Sequence, residues 1–551
     1  MFTFLRPLTL CVVAGIALAL SGCAEQGTPA DLVIHNARIF TGDEGKWATA
    51  IAVTGDRITF VGADADAKPL IGGAARVIDA GGRLVIPGIN DAHTHPIAMP
   101  PHTPLSGPPA MQENPSLDVV LERLRAAVAK APEGGWIVGE VSEAVLDDER
   151  ATRRTLDPIS PDHPVMLTAW HGHGTIFNSA GLKALGVKDD EPDPAGGRFG
   201  REKDGRTLNG QAQEYAEFIL RQRLTMIPGE EEQIAAYQQF GREAASFGIT
   251  SVQAMMTGYP AAGAAPLFAK AQLPVRVRVI DFPMASPAEW NGAVQGTDAP
   301  MVTVSGVKYI VEGTPIERLM FLREPYSDAP DTRGRLNFDT SAFASLLAPA
   351  SAARVQPMFH VAGDAGIDAV LDVLDGSANS ESPWPAIRPR LEHADMVEPS
   401  HFGRLKRHGV VVVQNPSHFM IPEIMHARLG ERVTRIQLMK SMLKAGIPVA
   451  LGSDGPLNPF LNVMFAVMHP TNPAEALTVD EALVAYTRGS AFAEGVEGQK
   501  GTLAPGMLAD LAILSQDIFT VAVEDLPKTS SVLTVVGGRV VHDQLKPGVR
   551  P

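Results

Sequence analysis

The sequence predicts an α/β protein, a TIM-like (β/α)8 barrel with a small β-sandwich domain built from both chain ends. Three observations support this prediction. Apolar runs alternate with amphipathic helical segments through the middle of the 551-residue chain, as in βα units around a parallel sheet. Strand-like runs with glycine-rich turns occur at both ends. Several apolar runs end in a histidine or an aspartate, where a barrel carries its functional groups.

The composition excludes some classes of protein. Hydrophobic residues make up 45% and charged residues 20%, which is ordinary for a globular chain. The formal net charge of −15 leaves no basic surface for a nucleic acid, so we expect no such partner. Cys11 and Cys23 are the two cysteines, and both lie in the first residues, so we expect no disulfide and no cysteine metal site in the mature chain.

The chain begins with a targeting segment. One basic residue, Arg6, precedes an apolar run over 8–20 that is short for a membrane span, and Leu20-Ser21-Gly22-Cys23 follows. Residues 1–22 resemble a bacterial lipoprotein signal peptide. The resemblance implies cleavage before Cys23 and lipidation of that cysteine; a chance cysteine after an ordinary signal is the alternative. Ala24 then favours a lipid anchor on the periplasmic face of the outer membrane over the inner one.

Both ends of the mature chain predict β-structure. Residues 23–85 hold short apolar runs separated by turns at Gly42-Asp43 and Gly55-Asp56. Residues 496–551 hold two further runs of this kind. Because chain termini often lie close together, we expect these two segments to form one β-sandwich.

Residues 86–495 predict the barrel, and the Pro- and Gly-rich part around 96–227 predicts an insertion that forms a lid or a substrate pocket. The predicted helices are 117–131, 230–247, 342–352, 366–374, 434–445 and 478–489. The predicted strands are 165–168, 250–253, 275–280, 306–311, 355–360, 390–393, 410–414 and 449–452, a number that suits an eight-stranded barrel.

A His-x-His pair is the first candidate metal ligand set. His93 and His95 follow the apolar run Leu84 to Ile86, and in an extended backbone both side chains point the same way. Two imidazoles on one face suit a divalent ion such as zinc, and Asp91 is expected to orient one ring. The motif alone is weak, so further ligands are needed.

Later apolar runs supply them. Lys308 lies in the strand before Glu312, and His360, His393 and Asp454 each end a predicted strand. A single histidine at such a place is more often structural than a ligand. Because the ends of barrel strands meet at one mouth, their joint occurrence predicts one metal centre.

These residues and the phrases around them resemble the metal-dependent amidohydrolase superfamily, and in particular its amidohydrolase-3 branch, which includes N-substituted formamide deformylases. The resemblance covers nearly all of the chain after the signal and implies that His93, His95, His360, His393 and Asp454 are the metal-type residues. The matching phrases are 164–167, Gly172-His173, Asn178-Ser179, 360–364, 452–456, 500–503 and 505–510.

The chain departs from the branch in three loops. His171 stands where the branch usually has aspartate, Glu312-Gly313 replaces an aspartate-glycine pair, and Ile176-Phe177 replaces a tryptophan. We assign His171, Glu312 and a branch glutamate, Glu214, to substrate binding; a solvated helix position is the alternative for Glu214. The departures leave the substrate open.

Lys308 has two interpretations. Carboxylated on its amine, as in several relatives, it becomes an anionic ligand that bridges two metals, and we favour this form because a buried lysine loses its proton readily. The alternative is a lysine that pairs with Glu312 or orients a water.

The ligand set predicts hydrolysis. One or two divalent ions, zinc being favoured, lower the pKa of a bound water so that hydroxide attacks a carbonyl carbon at neutral pH. We expect an amide, an N-substituted formamide or a cyclic amide as the small-molecule substrate. Asp454 then serves as general base and acid, and His173 polarises or orients the substrate; a loop histidine bonded to backbone is the alternative for His173.

Other functions stay open at this stage. Deamination and lactone or ester hydrolysis use the same chemistry on the same scaffold. A non-catalytic, metal-containing binding lipoprotein is the alternative of another class. We expect membrane contact only through the lipid anchor, and a homodimer is left open.

Overall fold

The computed structural model describes residues 29–43, 45–283, 296–376 and 383–545. The predicted signal peptide, 1–22, and the predicted lipidation site, Cys23, lie outside the described residues. No helix within the described ranges is long and apolar enough to cross a membrane.

An eight-stranded parallel sheet forms a nearly closed barrel, which confirms the predicted barrel. The last strand lies beside the first, where the Asp454 amide donates to the His93 carbonyl at 3.0 Å and the Ser453 amide donates to Asp91 Oδ1 at 2.9 Å. The strands in order are Ile89–Thr94, Ile249–Met255, Arg276–Asp281, Val302–Ile310, Pro357–Val361, Arg390–His393, Val411–Gln414 and Val449–Leu451.

One predicted barrel strand was wrong. The run 165–168 is a strand, but it belongs to a different sheet and pairs with Trp136–Val141. The first barrel strand is Ile89–Thr94, which carries His93, is followed directly by His95 and is buried along its whole length. Most of the stretch that the sequence analysis treated as a ligand motif is therefore a buried strand of the barrel.

The Pro- and Gly-rich segment forms a second, six-stranded sheet. Its strands, in sheet order, are Gly197–Arg201, Leu208–Glu214, Gly174–Phe177, Val165–Ala169, Trp136–Val141 and His102–Pro104. The insertion contacts the barrel directly through the helix that follows this sheet, because the Ile310 amide donates to the hydroxyl of Tyr215, the first residue of Tyr215–Thr225, at 3.1 Å.

Two further sheets hold strands from the chain ends and share one apolar cluster that includes Ile39, Val85 and Ile513. The four-stranded sheet runs Arg57–Gly62, Ala50–Thr54, Ala30–His35, Ile71–Asp79. The six-stranded sheet runs Arg539–Asp543, Ser531–Val536, Leu511–Leu514, Leu84–Pro87, Arg38–Phe40, Trp47–Ala48, so it combines both ends of the chain.

Gly88 connects the six-stranded end sheet to the barrel. A Cβ at this position would lie 2.1 Å from Thr250 Oγ1, so a glycine is needed where the chain passes between Leu84–Pro87 and Ile89–Thr94. At this point the chain passes from the six-stranded end sheet to the barrel through a single, tightly packed residue.

Helices cover the barrel and the insertion sheet, and Leu117–Val128 packs on the latter. The longer ones are Leu117–Val128, Tyr215–Thr225, Glu230–Ser246, Ala261–Ala271, Thr340–Ala353, Asp364–Gly376, Pro399–His408, Pro422–Leu429 and Pro459–Met468. The helix predicted over 434–445 is shorter, Met439–Lys444, because Gln437 takes a positive φ of 52°. The helix predicted over 478–489 is Val479–Val484 followed by a π turn.

Candidate metal centre

The first and last barrel strands bring His93, His95 and Asp454 together. The Nε2 atoms of the two histidines lie 3.1 Å apart, so the predicted common face is present. Asp454 Oδ1 lies 3.2 Å from His95 Nε2 and 3.6 Å from His93 Nε2. Burial would raise the pKa of Asp454, but His93, His393 and hydrogen bonds from His418 and His95 hold it well below the usual range. The carboxylate is therefore ionised.

The sixth barrel strand adds His393 to the same cluster. Its Nδ1 lies 3.3 Å from Asp454 Oδ2, and His93, His393 and Asp454 place one ligand atom each within 4.8 Å of one another. The ring of His360, at the end of the fifth strand, lies 4.5 Å from the ring of His393. Four predicted histidines and the predicted aspartate thus converge at one end of the barrel.

The residues fit a bound divalent ion. Two imidazole Nε2 atoms that face each other at 3.1 Å share at most one proton between them and are better matched by a cation. His360 Nε2 and Lys308 Nζ are both buried, and neither has a hydrogen-bond partner among the described residues. Unpaired buried polar atoms are costly, and a metal ion would satisfy them.

Lys308 is fully buried in the fourth barrel strand. Burial lowers the pKa of its amine to about 8, against the charges of Glu392 and Asp454 that raise it. It does not pair with Glu312, which was the alternative interpretation, because the Glu312 carboxylate bonds elsewhere.

Glu392 orients His93, a role that the sequence analysis missed. Its Oε2 lies 2.6 Å from His93 Nδ1, which turns Nε2 of that ring toward the centre. Arg390 donates to both carboxylate oxygens, at 2.7 and 2.9 Å. Burial opposes ionisation, but Arg390 and His93 lower the pKa of Glu392 to about 2. Such a carboxylate–histidine pair fixes the tautomer and orientation of a metal ligand.

Asp91 does not orient a ring, contrary to the expectation from the sequence. Its Oδ1 accepts from the backbone amides of His93 and Ser453, at 3.1 and 2.9 Å. It therefore ties the first strand to the turn after the last one. Its position two residues before His93 on the same strand suits a backbone contact of this kind.

His418 also reaches the centre, although the sequence gives it only a weak claim. Its Nε2 lies 3.7 Å from Asp454 Oδ2, and its Nδ1 lies 3.1 Å from Asp395 Oδ2. Burial lowers its pKa, but Asp395 and Asp454 together raise it to about 10, so the ring is charged at neutral pH. No strand end marks His418, because it lies in the 3-10 turn Pro416–Met420.

His173 and Glu214 lie beside the centre on the insertion sheet. The His173 ring is 4.6 Å from the His360 ring, and its Nδ1 is 3.1 Å from Glu214 Oε1. Burial opposes protonation of His173, but Glu214, Glu317 and Glu217 raise its pKa to about 9. Asn337 donates to the other oxygen of Glu214 at 2.9 Å. Glu214 also has a positive φ of 54°, a strained conformation of the kind found at functional sites.

Two other predicted substrate contacts differ in their surroundings. His171 stacks near His173, with ring centroids 6.3 Å apart, and lies in the same region. Glu312 is fully buried and accepts from the amides of Phe321, Ala362 and Gly363, at 2.7, 2.6 and 2.7 Å. Glu312 thus holds the backbone that follows His360.

Comparison with known proteins agrees with this geometry. The amidohydrolase-3 family, described as the amidohydrolase family, matches residues 76–542. An N-substituted formamide deformylase of Arthrobacter pascens is 28% identical over 550 residues, covering 93% of this chain and 98% of the relative. Protein LONG AFTER FAR-RED 3 of Arabidopsis thaliana is 26% identical and covers 94% of this chain and 92% of its own.

A solved structure shows the same fold. An uncharacterised metal-dependent hydrolase from Pyrococcus horikoshii superposes with a TM-score of 0.68 and 22% identity, over 90% of this chain and 99% of that one. The family match covers most of the chain and includes every residue of the metal centre. The chain therefore belongs to the amidohydrolase family, in its amidohydrolase-3 branch.

Proposed function

We propose that the protein is a metal-dependent hydrolase that cleaves a carbonyl C–N bond in an amide, an N-substituted formamide or a cyclic amide. One observation carries the proposal: four histidines and Asp454 converge at the barrel mouth while His360 Nε2 and Lys308 Nζ lack any partner among the described residues. The similarity to the deformylase over nearly the full length of both chains supports the bond type.

The ligands of the ion are His93, His95, His360, His393 and Asp454, with Lys308 as a further ligand. A zinc ion bound there supplies a hydroxide nucleophile at neutral pH by lowering the pKa of water. Asp454, which is partly exposed and ionised, accepts the proton of the attacking water and returns it to the leaving nitrogen. The charged His418 at 3.7 Å keeps that carboxylate in place.

His173 donates a hydrogen bond to the carbonyl oxygen of the substrate. Its Nδ1 is engaged by Glu214, which leaves Nε2 available, and its ring lies against His360. A charged donor in a buried site stabilises the negative charge that develops on that oxygen. Glu214 acts through His173 as a positioning residue, and His171 lines the same side of the pocket.

We propose that Lys308 carries a carboxyl group. The reaction needs a neutral amine, and burial, which lowers the pKa of Lys308 to about 8, provides it. Carboxylation would replace this buried, unpartnered amine by an anion that can serve as a metal ligand.

The organisation of the chain ends belongs to the same proposal. The shared apolar cluster supports a single β-sandwich of the two end sheets, and the targeting sequence supports a lipid anchor at Cys23 on the periplasmic face of a bacterial membrane, the outer one being favoured.

Metal content and hydrolysis test the function together. The soluble form that begins after the signal should hold one or two zinc-type ions per chain at the barrel-mouth centre, and the His93→Ala/His95→Ala double variant should have a lower metal content and no activity. Activity is measured on a panel of formamides, linear and cyclic amides, lactones, esters and amino-heterocycles. Full metal occupancy in the double variant would contradict the ligand assignment.

The panel also separates the alternatives. If only lactones or esters are turned over, the protein is an ester hydrolase and not an amide hydrolase. If only amino-heterocycles are turned over, it is a deaminase. A wild-type protein that binds metal and turns over nothing would support a binding lipoprotein.

A further inference from the structure

A second cluster of ligand-type side chains lies between the insertion sheet and the barrel. His173, Glu214 and Glu317 place one ligand atom each within 4.8 Å of one another. His173 and Glu214 belong to the insertion, whereas Glu317 lies in the loop after the fourth barrel strand. The cluster is separate from the ligand set of the barrel mouth, which it approaches through the His173–His360 ring contact.

His171 is aimed into this cluster and has no partner. Its side chain is 4% exposed, its Nδ1 lies 3.6 Å from Glu317 Oε2, and neither ring nitrogen makes a hydrogen bond within the described chain. A buried imidazole with two unsatisfied nitrogens is unfavourable unless a ligand satisfies one of them. This observation is independent of the proximity of the carboxylates.

The two carboxylates face each other, and the basic groups beside them are histidines, with His173 Nδ1 3.1 Å from Glu214 and His171 Nδ1 3.6 Å from Glu317. A Cβ at Gly313 would lie 2.8 Å from Glu214 Oε1 and 2.9 Å from Glu317 Oε1, so both oxygens converge on the space that the glycine leaves. Among the described residues, neither carboxylate forms an ion pair with a lysine or an arginine. The nearby Arg221 pairs with a different carboxylate, Glu217. Two buried anions at such a distance favour a bound cation.

We propose that His171, His173, Glu214 and Glu317 form a second divalent-cation site that joins the insertion sheet to the barrel. Two imidazoles and two carboxylates are a ligand set for zinc or a similar transition metal. A cation there would neutralise Glu214 and Glu317 and would replace the proton on His173 Nδ1. Nε2 of the same ring keeps its proton, and the cation supplies the positive charge that the protonated ring carries in its absence. The site shares no ligand with the barrel-mouth centre, although His173 and Glu214 also take part in the proposed hydrolysis.

Zinc binding tests the site in a chain that lacks the first centre. In the His93→Ala/His95→Ala background, equilibrium dialysis against Zn²⁺ with metal analysis should find one bound equivalent. Adding Glu317→Gln, which keeps the shape and removes the charge, should remove that equivalent. Adding His171→Asn should weaken zinc binding by about 10–100-fold or more, the effect typical of losing a residue that bonds to a metal ligand. Adding Glu231→Gln, at an exposed helix position, should change nothing.

Thermal unfolding gives a second measurement. Because a ligand that binds only the folded state stabilises it, Zn²⁺ should raise the melting temperature of the background but not of its Glu317→Gln derivative. If the background does not fold, Glu317→Gln in the otherwise natural chain should lower bound zinc by one equivalent, and Glu231→Gln should not.

The outcomes separate this site from the proposed function. Equal zinc content with and without Glu317→Gln overturns the second site and leaves a hydrogen-bonded His–Glu network in its place. Loss of hydrolysis in the His93→Ala/His95→Ala variant concerns the barrel-mouth centre alone.

Discussion

Asp454 lies at the convergence of three segments, because its two oxygens face histidines that follow the first strand, end the sixth strand and lie in the turn Pro416–Met420. Oδ1 meets His95, and Oδ2 lies 3.3 Å from His393 and 3.7 Å from His418. Its positive φ of 38° is uncommon for a residue other than glycine and indicates that the surrounding structure holds it there.

Asp454→Asn should therefore separate metal binding from proton transfer. The amide keeps the volume and one oxygen ligand but cannot accept the proton, so metal content should fall little while kcat falls by about 10²–10⁴. Metal analysis and turnover on the substrate that the panel finds are the measurements. Asp331→Asn, at an exposed position, is the control, and undiminished turnover in Asp454→Asn would remove Asp454 from the mechanism.

Lys308 should show carboxylation that increases with pH. Its pKa is lowered to about 8, so the neutral amine that reacts with carbon dioxide becomes more abundant as the pH rises through that value. In ¹³C-bicarbonate, a carbamate resonance should grow from about pH 6 to about pH 9. Lys203→Arg should keep the resonance and Lys308→Arg should abolish it; its absence at every pH in the wild type would support an unmodified lysine.

Some residues of the site could be predicted and others could not. His93, His95, His360, His393 and Asp454 were found because each follows an apolar run on or just after a strand. Glu392 precedes a predicted ligand, but its partner His93 is 299 positions away, and no local pattern links them. His418 lies in a turn, where periodicity carries no signal.

At the scale of elements, alternation of apolar runs and helices predicted the strands well but not their sheets. Val165–Ala169 has the composition of a barrel strand, yet it pairs with two strands of the insertion. Pairing between distant strands depends on the whole chain, so a local run fixes the strand and leaves its neighbour undetermined. The strand Ile89–Thr94 was missed for a related reason, since Asn90, Asp91 and His93 interrupt the apolar pattern.

Contact between the first and last strands requires a glycine at position 452. A Cβ there would lie 2.5 Å from the His93 nitrogen and 2.6 Å from its Cβ, and backbone atoms cannot move aside. Gly452→Ala should therefore push the two strands apart, destabilise the fold by about 1–3 kcal/mol and lower metal content. Urea unfolding and metal analysis measure both effects.

A matched change elsewhere controls for the added methyl group. Gly403 lies on the exposed side of the helix Pro399–His408, and a Cβ added there would meet no atom within 4 Å beyond the backbone of its own helix. Gly403→Ala should therefore stabilise the protein by about 0.5–1 kcal/mol. Wild-type stability and metal content in Gly452→Ala would mean that the strands tolerate a wider separation.

At the scale of the molecule, the targeting segment predicts where the enzyme acts. Cys23→Ser should prevent lipidation and move the protein from the membrane fraction to the soluble fraction of cells. Cys11→Ser should have no such effect, because residue 11 leaves with the signal. Fractionation with immunoblotting measures both variants, and a Cys23→Ser protein that stays with the membrane would contradict the lipid anchor.

Leu84–Pro87 lies between Arg38–Phe40 and Leu511–Leu514 in the six-stranded end sheet, so this sheet cannot be completed until late in synthesis of the chain. The ribosome releases the first two of these strands early, but the third follows roughly 400 residues later, about 20–80 s at usual rates of synthesis. During that interval one edge of the strand that leads into the metal centre has no neighbour. Completion of the six-stranded end sheet is therefore an event that follows synthesis of nearly the whole chain.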